Sequence, residues 1–131
     1  AEREQLLICE KELLASTFGL VAFEPWMPPS VLSFSDNTVA VSAMRSMGSR
    51  RRGMQAILRR RCEWLLERGV VEAAARVTSR NNLWADWGSR GCIDLVVAEA
   101  AALGWRPRRV AVPTEWRSLG MQCCEEDEAC A

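Results

Sequence analysis

Three prolines within five positions, Pro25, Pro28 and Pro29, decide what can lie on either side of them. Proline fixes φ and lacks a backbone donor, so ProTrpMetProProSer (25–30) cannot continue a helix and serves as a rigid connection. Before it, Leu6, Leu13, Leu14, Leu20 and Val21 recur at helical spacing. They predict a helix over 4–24, apolar around most of its circumference, as in a helix packed on a sheet. After it, Val31–Ser35 is a short apolar run suited to a buried strand, and Asp36 ends that run. Pro25–Ser35 is also uncharged, and no uncharged run in the chain is longer. Eleven residues with three prolines cannot span a bilayer, so no membrane partner is expected.

Downstream, Asn37 or Thr38 is placed to cap a helix running to about Met47, which Gly48 and Ser49 break. A second helix over about 51–68 carries Met54, Ile57, Leu58, Cys62 and Leu65 as an apolar stripe. Gly69 suits a helix C-terminus, and Val70–Val77 reads as a strand. Asn81 or Asn82 opens a short helix containing Leu83, Trp84 and Trp87 that ends near Gly88 or Gly91. Ile93, Val96, Val97, Ala100 and Leu103 form a helical series closed by Gly104, and Arg109–Val112 reads as a weak strand stopped by Pro113. This order predicts an α/β fold with helices laid on a sheet. Two or three strands make a poor sheet alone, so further strands are expected upstream. A chain that opens on Ala1 directly into a helical pattern fits an internal piece of a longer polypeptide.

Charge separates along the chain. Four of the 17 acidic groups are Glu125, Glu126, Asp127 and Glu128, which leaves the preceding 124 residues with 17 basic against 13 acidic groups. Sixteen of the basic residues are Arg. Seven of these fall between Arg45 and Arg61 with no acid among them. Arg51, Arg52, Arg59 and Arg60 lie largely off the apolar stripe of the 51–68 helix, so with Arg50 just before it they form either a phosphate-binding face or a solvated one.

Six Cys and no His limit the chemistry further. No pair of cysteines has CxxC spacing, and the usual Cys/His zinc sites and His-dependent nucleophilic schemes are unavailable. No segment reads as a secretory signal, so the protein is expected to be intracellular and non-secreted, with reduced, mostly structural cysteines. Any catalysis then falls to carboxylates, with a metal. Asp36 ends the first strand, Asp86 lies in the short helix after the second, and Glu12 is mid-helix among the small residues Ala15, Ser16 and Gly19. Three separated carboxylates converging on one point would suit Mg²⁺, which prefers hard oxygen ligands and retains waters. The plainer alternative makes Asp36 a helix cap and leaves Glu12 and Asp86 solvated. Trp64, Trp84 and Trp87 could stack on bases, although tryptophan at helical spacing is more often core.

GluLysGluLeuLeuAla (10–15), PheSerAspAsnThrValAlaVal (34–41) and ValThrSerArgAsnAsnLeuTrpAlaAspTrpGlySerArg (77–90) occur in that order. Together they resemble the ribonuclease H domain attached to reverse transcriptases of retrotransposons and related elements. The likeness runs from residue 8 to about 90 and includes CysGluTrpLeuLeuGluArgGly (62–69). It implies a ribonuclease H-like mixed sheet flanked by helices, N-terminally truncated. Residues 1–91 would be the partial domain, 92–119 a helix and weak strand extension, and 120–131 an acidic Cys-containing tail expected to be disordered.

The resemblance places the family's metal-binding carboxylates on Glu12, Asp36 and Asp86, holding Mg²⁺ or Mn²⁺ for cleavage of RNA in an RNA–DNA hybrid. Asn37 and Thr38 fall beside the hybrid backbone, and a reverse transcriptase domain is expected upstream in the same polyprotein. No Asp precedes Asp36, so the family's first-strand ligand is not in this chain. Arg76 stands where a His is frequent, and Thr78 and Ser79 replace the Pro and Gly of ValProGly. With three of four ligands, Mg²⁺ binding is expected to be weak. Two alternatives follow: a non-catalytic nucleic-acid-binding remnant of the same fold, and a structural or interaction domain.

Overall fold

Proline fixes the first boundary. In the computed structural model, which describes residues 7–119, helix α1 (Ile8–Ala22) gives way to a 3₁₀ turn (Glu24–Trp26) that carries Pro25 in its first positions. Strand β1 (Ser30–Ser35) follows, then α2 (Thr38–Ser46), α3 (Arg52–Arg68), β2 (Val71–Arg76), a second 3₁₀ turn (Ser79–Asn81), α4 (Leu83–Ser89), α5 (Ile93–Ala102) and α6 (Thr114–Arg117). Asn37 caps α2, its Oδ1 accepting the Ala40 N–H at 2.9 Å. Gly69 closes α3 in the left-handed region (φ 63°), where a Cβ would be strained. Met47 ends α2 in the same region (φ 54°), one residue before the glycine that the sequence points to.

The two strands pair in parallel, from Ser30 opposite Val71 to Ser35 opposite Arg76. A parallel pair needs a long crossover, and α2 with α3 supplies it. The fold is therefore α/β, with a two-stranded parallel sheet among the described residues. The weak strand expected over 109–112 does not form: residues 105–113 have no regular structure. Pro107 and Pro113 bracket a short segment, and it pairs with neither strand of the sheet. The segment leads instead into α6, which delivers Trp116 and then Leu119 to the core. The acidic Cys-containing tail lies outside the described residues.

The core is mainly helix on helix. Leu13, Leu20 and Val21 of α1 pack with Val41 and Met44 of α2 and with Met54, Ile57, Leu58, Trp64 and Leu65 of α3. The sheet covers this layer with one face only. Alternation along β1 turns Val31, Ser33 and Ser35 inward, whereas Leu32 and Phe34 are more than half exposed on the other face together with Val71. Trp64 is core, its ring 4.7 Å from the Arg68 guanidinium, and Trp84 meets Trp105 edge to face at 5.7 Å. Only Ala100 of α5 is buried, so most of that helix's apolar series is uncovered.

Inside the core sits a pair of full charges. Arg61 is 1% exposed and donates from Nε to Glu72 Oε1 (2.9 Å), from Nη1 to Thr17 Oγ1 (2.8 Å) and from Nη2 to Ser16 Oγ (3.1 Å). The Ser33 hydroxyl donates to Glu72 Oε2 at 2.6 Å, and Arg61 Nη2 reaches the same oxygen. One network thus ties α1, β1, α3 and β2 together. Its charges are affordable in a dry site because each has several hydrogen-bonding partners.

Candidate functional site

Parallel strands end together, and in open α/β sheets polar groups gather beyond their carboxyl ends. Asp36 follows the last residue of β1 at that end, and α1 brings Glu12 up to it. The small face that the sequence marks on α1 (Ala15, Ser16, Gly19) does not press against the strand. It lines a groove of about 450 Å³ beside the edge of β1 that has no partner among the described residues. Glu12 lies at this groove, while Asn82 and Ala85, at the start of α4, form its far side.

The two acids feel one another. Burial raises the Glu12 carboxyl above its ordinary value, and the Asp36 charge raises it further. A hydrogen bond from the Ser35 hydroxyl works in the opposite direction. The same hydroxyl accepts the Asn37 N–H at 3.2 Å, and Ser79 Oγ donates to Asp36 Oδ2 at 3.2 Å. Asp36 is thus held by the Ser79 hydroxyl, and neither carboxylate forms an ion pair among the described residues.

Asp86 is placed differently. It adjoins Ala85 at the groove, but its Oδ1 pairs with Arg90 Nε at 3.2 Å, one helical turn away. Among the described residues no three His, Cys, Asp or Glu side chains converge as a metal cluster. Glu12 and Asp36 are the two carboxylates that could share a cation at this strand end. That donor set suits a hydrated Mg²⁺ or Mn²⁺, since Mg²⁺ commonly takes one or two carboxylates and completes its shell with water and substrate phosphate.

The arginines divide into two groups. Arg51 donates to Glu10 (Nη2 to Oε1, 3.1 Å), a 1% exposed residue whose other oxygen accepts the Leu7 N–H at 3.0 Å. Arg60 lies 4.7 Å from the Trp116 ring and 3.9 Å from Glu63. Both have structural work within the domain. Arg50, Arg52 and Arg59 are exposed. Thr38 begins α2 with its side chain in solvent, beside the cap residue Asn37. Two charged residues outside the expected site, Arg61 and Glu72, are core groups. Arg61 stands four residues from both Ile57 and Leu65, on the apolar face of α3, and that spacing marks it as buried.

No helix among the described residues is long and apolar enough to cross a membrane. Cys9, Cys62 and Cys92 form no disulfide. No protein-family model matches the chain, and no curated protein or solved structure matches it either.

Proposed function

We propose that this chain is part of a ribonuclease H-like domain that acts on nucleic acid, with Glu12 and Asp36 forming its divalent-cation site and an RNA–DNA hybrid as its substrate. The observation that carries the reading is that Asp36, just past the carboxyl end of β1, acts with burial to raise the Glu12 carboxyl, which lies at the groove beside that strand. A protein gains no stability from such a pair, and a cation removes the repulsion. When bound, Mg²⁺ or Mn²⁺ supplies charge neutralisation at a phosphodiester and a more acidic water. The chain's own residues do the positioning: the Ser79 hydroxyl orients Asp36, and Asn37 fixes the start of α2 beside it. Arg50, Arg52 and Arg59 offer exposed charge to the backbone. Asp86 is the third ligand of the reading once its exposed pair with Arg90 opens, a step of small cost for a surface ion pair.

The test is incubation of the purified chain with a labelled RNA–DNA hybrid in Mg²⁺, in Mn²⁺ and in chelator, beside Asp36→Asn. Metal-dependent cleavage that disappears in the variant is the expected result. The Asp86–Arg90 pair favours a second reading, a binding remnant of the same fold without catalysis. Salt-sensitive hybrid binding with no cleavage under any condition would establish that reading and overturn the first.

A further inference from the structure

A second polar cleft opens on the α2 side of the strand ends. It holds about 430 Å³ and is lined by Thr38, Ser42, Arg45 and Ser46 of α2, by Val41 and by Arg76, the last residue of β2. No acid lines it. Arg45 is held in place by donating Nε to the Ala74 carbonyl at 2.8 Å, which leaves the far edge of its guanidinium for another acceptor. Arg76 has no ion-pair partner among the described residues: the nearby Asp36 carboxylate takes its hydrogen bond from Ser79, and Glu72 is taken up by Arg61 and Ser33. Thr38, Ser42 and Ser46 recur every four residues, so their hydroxyls form a ladder on one face of α2. The Ser46 hydroxyl is engaged by the Ser42 and Gly48 carbonyls, whereas those of Thr38 and Ser42 face the cleft without such bonds.

Two guanidiniums with no counter-ion, one of them pre-anchored, and two hydroxyl donors around a single cleft make a receptor for a tetrahedral oxyanion. We infer that this cleft seats a phosphate group, and that the phosphate belongs to a nucleic-acid backbone running past the strand ends. The phosphate chemistry stands on the cleft itself. The choice of nucleic acid as its source rests on the proposed function.

The test measures hybrid binding in chelator, so that it does not depend on the Glu12–Asp36 site. Wild type is compared with Arg76→Gln, with Ser42→Ala and with Arg109→Gln, an exposed arginine in the 105–113 segment. Circular dichroism checks that each variant folds, and a parallel titration uses inorganic phosphate alone. Arg76→Gln is expected to weaken hybrid binding about tenfold at low salt and to lower the slope of log K against log salt by about one. Ser42→Ala should weaken binding less, and Arg109→Gln should change neither quantity. Equal losses for Arg76→Gln and Arg109→Gln would reduce the effect to diffuse charge and overturn the seat. Inorganic phosphate that binds wild type but not Arg76→Gln, with hybrid affinity equal in both, would overturn the backbone as the source. Loss of Mg²⁺-dependent cleavage alone, with these binding differences intact, would refute the proposed nuclease and leave the seat standing.

Discussion

Glu72 and Glu12 are both drawn toward the interior, and they meet opposite fates. Glu72 lies under the sheet with both oxygens occupied, by Arg61 and by the Ser33 hydroxyl. Glu12 reaches the groove beside β1, where the charge of another acid, Asp36, raises its carboxyl and no cation answers either of them among the described residues. A buried charge that is fully matched belongs to the architecture. A pair of like charges at a strand end costs stability, and on the proposed reading an outside cation completes the balance.

The contrast breaks most visibly on the matched side. Arg61→Ala leaves the Glu72 carboxylate buried without its cation, and should cost about 3–5 kcal/mol in urea unfolding. Replacing both partners with apolar residues of similar size, Arg61→Met with Glu72→Leu, should recover most of that loss, because the cost comes from the orphaned charge. If the double variant is as unstable as the single one, the network's hydrogen bonds to Thr17, Ser16 and Ser33 carry more than the ion pair does.

A smaller effect tests the joint between the strand end and α2. Asn37→Ala removes the cap that accepts the Ala40 N–H and should lower stability by about 1 kcal/mol. Its hybrid affinity should fall only as far as the start of α2 loosens. A large affinity loss with unchanged stability would make Asn37 a direct contact to the backbone.

The smallest effect has the opposite sign. The folded protein holds the Glu12 proton more tightly than the unfolded chain does, so ionisation of Glu12 works against folding. That penalty is absent well below the unfolded value of 4.5 and complete above the raised folded value. Glu12→Gln should therefore match wild type in stability near pH 3.5 and exceed it at pH 7, by about 0.5 kcal/mol for a partly exposed group. Unfolding curves at the two pH values read this directly, and a variant less stable than wild type at pH 7 would remove the like-charge account.

Much of this fold is legible in the residues because the signals are local. Prolines 25, 28 and 29 end α1, Asn37 starts α2, Gly69 ends α3, and apolar spacing locates β1 and β2. Spacing alone does not reveal that Asp36 acts on Glu12, since one lies on a helix and the other beyond a strand. The Arg61–Glu72 network was hidden because Arg61 is one of seven arginines over 45–61 with no acid among them, yet 57, 61 and 65 share the buried side of α3. Glu72 was marked by parity, turned inward with Ala74 on β2. The 109–112 strand failed for a non-local reason: its composition suits a strand, but a strand needs a partner and this segment joins no ladder. Asp86 and Arg90 stand four residues apart on what the sequence shows to be a helix, so their pairing was also open to view.

The central claim is that Glu12 and Asp36 are kept together for a divalent cation. Titration of the chain with Mn²⁺, followed by the electron paramagnetic resonance of the free ion, tests it without requiring turnover. The account predicts saturable binding of one Mn²⁺ per chain that Mg²⁺ competes away, and that both Asp36→Asn and Glu12→Gln abolish. Binding that survives both substitutions, or no binding in the wild type, would contradict it.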